Sequence, residues 1–136
     1  MEEKLNIIYC ETGKLSMVDT VEDKLEELQE KVDGLIEIME LEQDVCLICN
    51  EEGKINGLPL NRAIRDENGE IVEVVAGNFI IVGQDKDTGN LKSLDENQLK
   101  KYMEIFKYPE EIMLINGQIF AEKFEPKPTK NRSFER

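Results

Sequence analysis

Histidine and tryptophan are both absent from this chain of 136 residues. Without an imidazole there is no Ser–His–Asp or Cys–His nucleophile pair, no histidine-containing zinc site and no side chain that ordinarily titrates near neutrality. Cysteine is scarce, and the three present, Cys10, Cys46 and Cys49, form no disulfide framework. No apolar run approaches the ~20 residues of a membrane-spanning helix. The acidic start MEEKLNIIYC lacks the basic opening of a secretory signal. Reduced thiols in a cytoplasmic protein are therefore the expectation. The phosphate-cradling patterns G-x-x-x-x-G-K-[ST] and G-x-G-x-x-G are missing too, and Ser16, Ser93 and Ser133 have no base to activate them. No cofactor, no metal and no catalytic residue is expected, and the chain is read as a non-enzyme.

What is abundant is negative charge. Thirty Asp and Glu against seventeen Lys and Arg give a net charge of −13, unevenly spread. Residues 1–52 carry 16 acidic and 4 basic side chains, 53–123 carry 12 and 9, and 124–136 carry 2 and 4. This field repels duplex nucleic acid and suits a basic protein surface, including one that otherwise holds nucleic acid. It also serves plain solubility.

The pattern of apolar runs and turns predicts an α+β domain, a mainly antiparallel sheet built from hairpins with two packed helices. Runs at 4–10 and 14–18 predict a first hairpin around Glu11–Gly13. A helix over 20–32 follows, capped from Asp19 or Thr20, with Val21, Leu25, Leu28 and Val32 as its buried stripe. Gly34 supplies a left-handed C-cap. Strands are expected at 35–41, 45–50, 71–75 and 79–82, with Gly53 suited to positive φ and 54–60 extended, at an edge or in a loop because of Pro59. Asn68–Gly69 and Asn116–Gly117 mark hairpins. A second helix over 94–107, capped by Ser93 and Glu96, buries Leu99, Tyr102, Met103 and Phe106. The N-terminal ββαββ order is that of a β-grasp unit. One domain over 1–123 and a basic, mobile tail over 124–136 complete the reading.

Two segments are candidate sites. The predicted first helix carries Glu22, Asp23, Glu26, Glu27 and Glu30, a stripe that is either a solvated face or a phosphate-like contact for a basic partner. The segment Asn50–Arg62 combines glycines, which permit close backbone approach, with Asn50, Lys54, Asn61 and Arg62. These offer amide and guanidinium groups to an anionic metabolite or nucleotide, in a pocket that a homo-oligomer interface would complete. The alternative is that they make turns and that Arg62 pairs with Asp66 or Glu67. Cys46-x-x-Cys49 lies in a predicted strand, where residues three apart face opposite ways, so a structural role is expected. Asp85–Gly89 begins like a calcium loop, but its glycine comes early and a strand precedes it, so a turn is expected.

The series 32–37 (VDGLIE), 50–54 (NEEGK), 57–62 (GLPLNR), 77–83 (GNFIIVG) and 93–98 (SLDENQ) resembles the domain of unknown function 3846 family over about residues 15–107. Asp33 stands where that family often has glycine. The resemblance implies a small protein of bacteria, phages, plasmids and other mobile elements, and brings no activity or site residue with it. Together with the charge, it predicts a binding protein that modulates host defence or nucleic-acid metabolism by occupying a protein partner.

Overall fold

Strand β4 (Val45–Asn50) is buried along its whole length, as its unbroken run VCLIC requires: a strand covered on both faces has no reason to alternate. It lies in the middle of the molecule, described here by a computed structural model over residues 4–126. The elements in chain order are β1 (Lys4–Cys10), β2 (Met17–Glu22), α1 (Leu25–Val32), β3 (Ile36–Glu42), β4, β5 (Leu60–Arg65), β6 (Ile71–Ala76), β7 (Phe79–Gln84), β8 (Leu91–Lys92), α2 (Glu96–Ile105), β9 (Glu110–Ile115) and β10 (Gln118–Lys123). A six-stranded antiparallel sheet runs β2-β1-β7-β4-β3, with β8 on β7; β5–β6 and β9–β10 are separate two-stranded ladders. The α+β class and the hairpin-built antiparallel sheet are as the sequence predicts. The two hairpins of the ββαββ portion are separated in the sheet by β7, which pairs with both β1 and β4.

The sheet has a core on each face. Leu5, Ile7, Cys46, Ile48, Ile80 and Val82 face α1 through Leu28 and Val32. Ile8, Cys10, Leu47, Cys49, Phe79 and Ile81 face α2 and the β5–β6 hairpin through Tyr102, Phe106, Ile64 and Val75. Cys46 and Cys49 thus point to opposite faces, as expected from their spacing, and both are free thiols.

Several local expectations give way to tertiary pairing. The first helix starts at Leu25 rather than at residue 20, because 17–22 pair with β1 from Tyr9↔Met17 to Lys4↔Glu22. β-branched Val18, Thr20 and Val21 suit that strand. Lys14–Ser16 lie in the preceding loop, Val21 is buried from a strand, Leu25 is exposed, and Lys24 makes no side-chain cap. At the helix exit Asp33, not Gly34, takes the left-handed conformation, with φ of 65°. Gly34 is needed for space instead: a Cβ there would lie 2.6 Å from Asn50 Nδ2. Gly53 has no positive φ; a side chain on it would press on the Ala76 carbonyl at 2.9 Å. Residues 51–57 coil into turns, with Asn56 N–H donating to Glu52 O and Leu58 N–H to Gly53 O, so 54–57 are not extended, and Leu60 opens β5. Helix α2 is capped by Asp95 and Gln98, not by Ser93 and Glu96; the Ser93 hydroxyl accepts from Asn6 N–H at 2.8 Å. The hairpins at Asn68–Gly69 and Asn116–Gly117 form as predicted. Asp85 closes the predicted turn by accepting from Asp87 and Thr88 N–H. The expected tail lies, from residue 127 on, outside the described residues.

Candidate functional site

Three of the four residues assigned to a small-ligand pocket are spent on the fold. Arg62 has no exposed surface, and its donors meet neutral acceptors. Nε donates to Phe106 O at 2.9 Å. One terminal nitrogen donates to Asn61 Oδ1 at 2.6 Å and Glu11 O at 3.3 Å, the other to Lys14 O at 2.8 Å and Lys107 O at 3.5 Å. The guanidinium fork ties β5 to the β1–β2 loop and to the end of α2, and burial lowers its pKa. It pairs with neither Asp66 nor Glu67. Asn61 donates to the carbonyls of Cys10 and Gly77 at 3.0 and 2.8 Å. Asn50 donates to Val32 O and Asp33 O and accepts from Glu52 N–H, which fastens the α1 exit to the end of β4. Lys54, the one exposed member, pairs with Glu73 of β6. Asn50 and Lys54 border a cavity of about 310 Å³ between the 51–55 turn and β6, which Asn61 and Arg62 do not line. The four side chains therefore do not converge. The backbone carbonyls that claim Asn61 and Arg62 come from chain 16 to 51 residues away, which is why sequence spacing does not reveal their role.

Strand β5 itself is the larger omission from the sequence reading. Its polar LNRAIR looks like a loop, yet Asn61 to Ile64 are buried. The Asn68–Gly69 turn is the signal that finds it, since a hairpin turn demands a strand on each side. Arg65, next along, forms a bidentate pair with Glu110 at 3.0 and 3.2 Å, and Glu110 also accepts from Ala63 N–H at 3.2 Å. A buried carboxylate thus joins the β9–β10 hairpin to β5.

The acidic residues fare differently. Glu26 and Glu30 are exposed on α1 and Glu27 is half-buried; Glu22 sits on β2 and Asp23 in the bend between. The five are contiguous in sequence but do not form one helical stripe. Glu22 pairs with Lys24 at 3.6 Å; no ion pair among the described residues reaches Glu26 or Glu30. The neighbouring Lys31 is occupied by Asp19 at 3.0 Å and lies over the Tyr9 ring.

A groove that the sequence reading passes over lies on the opposite face of the sheet. About 820 Å³ in volume, it runs between β3 (Met39–Glu42), the β5–β6 hairpin (Ala63–Glu67, Val72, Glu73) and α2 (Lys101, Tyr102, Ile105, Phe106), with Lys123 at its mouth. Met39 and Glu73 also line the smaller cavity, so the two are neighbours. Its apolar floor comes from Met39, Leu41, Val72, Tyr102 and Ile105. Glu42 accepts from Lys101 and from the Tyr102 hydroxyl, which holds its carboxyl below the usual range. Burial first, and then that hydrogen bond, raises the Tyr102 phenol. Eight carboxylates against four cations line the two cavities together. The alternating Ile-Glu-Ile-Met-Glu-Leu-Glu of β3 is the sequence signal that marks it.

The cysteines carry no reactive centre. Burial pushes the Cys10 thiol up to about 12, and those of Cys46 and Cys49 to about 11, the reverse of an activated thiolate. Among the described residues no group of side chains is arranged to hold a metal ion, and no helix is long and apolar enough to cross a membrane.

A family model, Domain of unknown function (DUF3846), matches residues 4–107. The chain belongs to the DUF3846 family. The match takes in β1 as well as the 15–107 stretch in which the resemblance was legible. It ends at Lys107, whose carbonyl Arg62 holds, and leaves out the β9–β10 hairpin. No curated protein gave a significant match, and no solved structure did.

Proposed function

We propose that this DUF3846 protein is a non-enzymatic, cytoplasmic binding protein of a phage or other mobile element. It modulates host defence or nucleic-acid metabolism by occupying a basic surface of a protein partner. One contrast carries this reading. The polar groups that would have recognised a small anion, Asn61 and Arg62 above all, are consumed by backbone carbonyls, whereas Glu26 and Glu30 stand exposed without a cation among the described residues. Exposed carboxylates that no cation of the described residues neutralises remain available to a basic partner, and their field steers its approach.

The test is charge reversal. A variant carrying Glu26→Lys, Glu27→Lys and Glu30→Lys should keep its far-UV spectrum and thermal midpoint while losing the partner that the parent protein captures from host extract. Unchanged capture by a folded variant refutes the α1 contact. A thermal shift with an anionic nucleotide, abolished by Lys54→Ala in a folded protein, would replace the reading with small-ligand binding.

A further inference from the structure

We propose that the groove along β3 is a docking site for an extended, basic segment of the protein partner, which adds to β3 as a further strand. The inference rests on the reading of the protein as a binder of basic partners, and adds a second surface and a binding mode.

Strand β3 ends the path of the large sheet and pairs only with β4. The outer side of an edge strand presents unpaired backbone donors and acceptors, a template for another extended chain. The cavity of about 820 Å³ is lined by four consecutive β3 residues, Met39 to Glu42. Successive strand residues point to opposite faces, so a space that touches all four follows the strand edge. The far wall is the β5–β6 hairpin with Val72, and the floor reaches Tyr102 of α2, which leaves apolar contacts for alternate side chains of the incoming segment.

Charge selects the occupant. Glu37, opposite Cys49, projects on the groove side of β3; Glu40, opposite Cys46, projects on the α1 side; and Glu67 stands across the groove. None of the three is in an ion pair among the described residues. A second copy pairing edge to edge would set these carboxylates against their equivalents. A strand alternating lysine or arginine with apolar residues turns its apolar side chains to the groove floor beside Met39 and its cations to the other face beside Glu40, while the acidic rim attracts the chain as a whole.

The probe is a fluorescent ten-residue peptide of alternating lysine and valine, with a glutamate–valine peptide as control, added to the full chain. Binding is followed by anisotropy and the site by amide hydrogen exchange. The expected result is binding of the lysine peptide alone, weakened by salt, with slowed exchange at the outward amides between Met39 and Glu42. Glu40→Lys with Glu67→Lys should weaken it about tenfold or more. The triple reversal on α1 should leave the protection of 39–42 in place.

Lysine-peptide binding with no protection at 39–42 would overturn the groove and leave the basic-partner reading standing. Protection at 39–42 alongside partner capture insensitive to the α1 reversal would do the opposite. Equal binding of the glutamate peptide would overturn the charge argument. Outward amides already protected in the free chain would assign the groove to this chain's own residues, or to a second copy if protection rises with protein concentration. Either result overturns the proposal.

Discussion

Two polar regions of similar promise in the sequence meet opposite fates in the fold. Asn50, Asn61 and Arg62 lie where backbone carbonyls need donors, and they are buried and saturated. Glu26 and Glu30 lie on the outer side of a short helix whose Leu28 and Val32 do the packing. A buried carbonyl must be hydrogen-bonded, so a donor side chain near several of them is drawn into the structure. A carboxylate cannot donate to a carbonyl; it is buried only where donors meet it, as Arg65 and the Ala63 N–H meet Glu110, and Glu26 and Glu30 stay in solvent. Between these two regions, the donors became structure and the carboxylates surface.

The strongest way to break this comparison is Arg62→Met. Removing the fork strands the carbonyls of Phe106 and Lys14, at a cost of about 3 kcal/mol or more. Urea unfolding should show that loss, or the variant should fail to fold; a nearly normal midpoint would free Arg62 from its structural role.

Alkaline pH comes next. The three thiols ordinarily ionise near 9 and are raised to about 11 or 12 in the fold. Above pH 9 the unfolded chain therefore loses thiol protons that the native state keeps. Stability contributed by these groups is whole below pH 9 and falls as pH rises toward 11. Urea midpoints measured from pH 8 to 11 should decline, and a Cys46→Ala, Cys49→Ala variant should decline less steeply from its own starting value.

Gly34→Ala sharpens the donor side of the contrast. Its Cβ would press on the Asn50 amide that fastens α1 to β4, costing about 1–3 kcal/mol by displacement of that group. Thermal unfolding checks it, and pairing it with Asn50→Ala should recover part of the loss.

The smallest effect is expected on the acceptor side. Glu26→Lys, Glu27→Lys and Glu30→Lys together should change stability by no more than about 1 kcal/mol, because the loss of carboxylates from the first turn of α1 is offset by the smaller net negative charge. A large loss in denaturant unfolding would give these residues a structural part and weaken the binding interpretation.

Most strands were legible because their runs are apolar and their turns carry the glycines and asparagines that hairpins need. Helix α2 was legible from Leu99, Tyr102, Met103 and Phe106 together with its acidic start. The start of α1 was not. Val21 and Leu28 satisfy a helical period, and only the pairing of Leu5 with Val21 across the first hairpin shows that Val21 belongs to a strand. Strand β5 was hidden by its polarity, since Asn61 and Arg62 read as loop residues until their distant acceptors are known. The groove along β3 was out of reach for the same reason: an edge strand announces its alternation, but not which elements will stand opposite it.

By itself, the sequence determined the class of fold, the antiparallel hairpins, the separation of Cys46 from Cys49 and the concentration of negative charge in the first third. Each is a property of local order: the period of side chains along a strand, the backbone freedom of a turn, a count of charges. Only the tertiary structure decided that β7 separates the two N-terminal hairpins, that Arg62 is a brace rather than a ligand contact, and that an acid-rimmed groove follows the edge of β3. Those outcomes depend on which carbonyls and which strand edges meet across tens of residues. Hydrogen bonding acts over about 3 Å in space, whatever the distance along the chain.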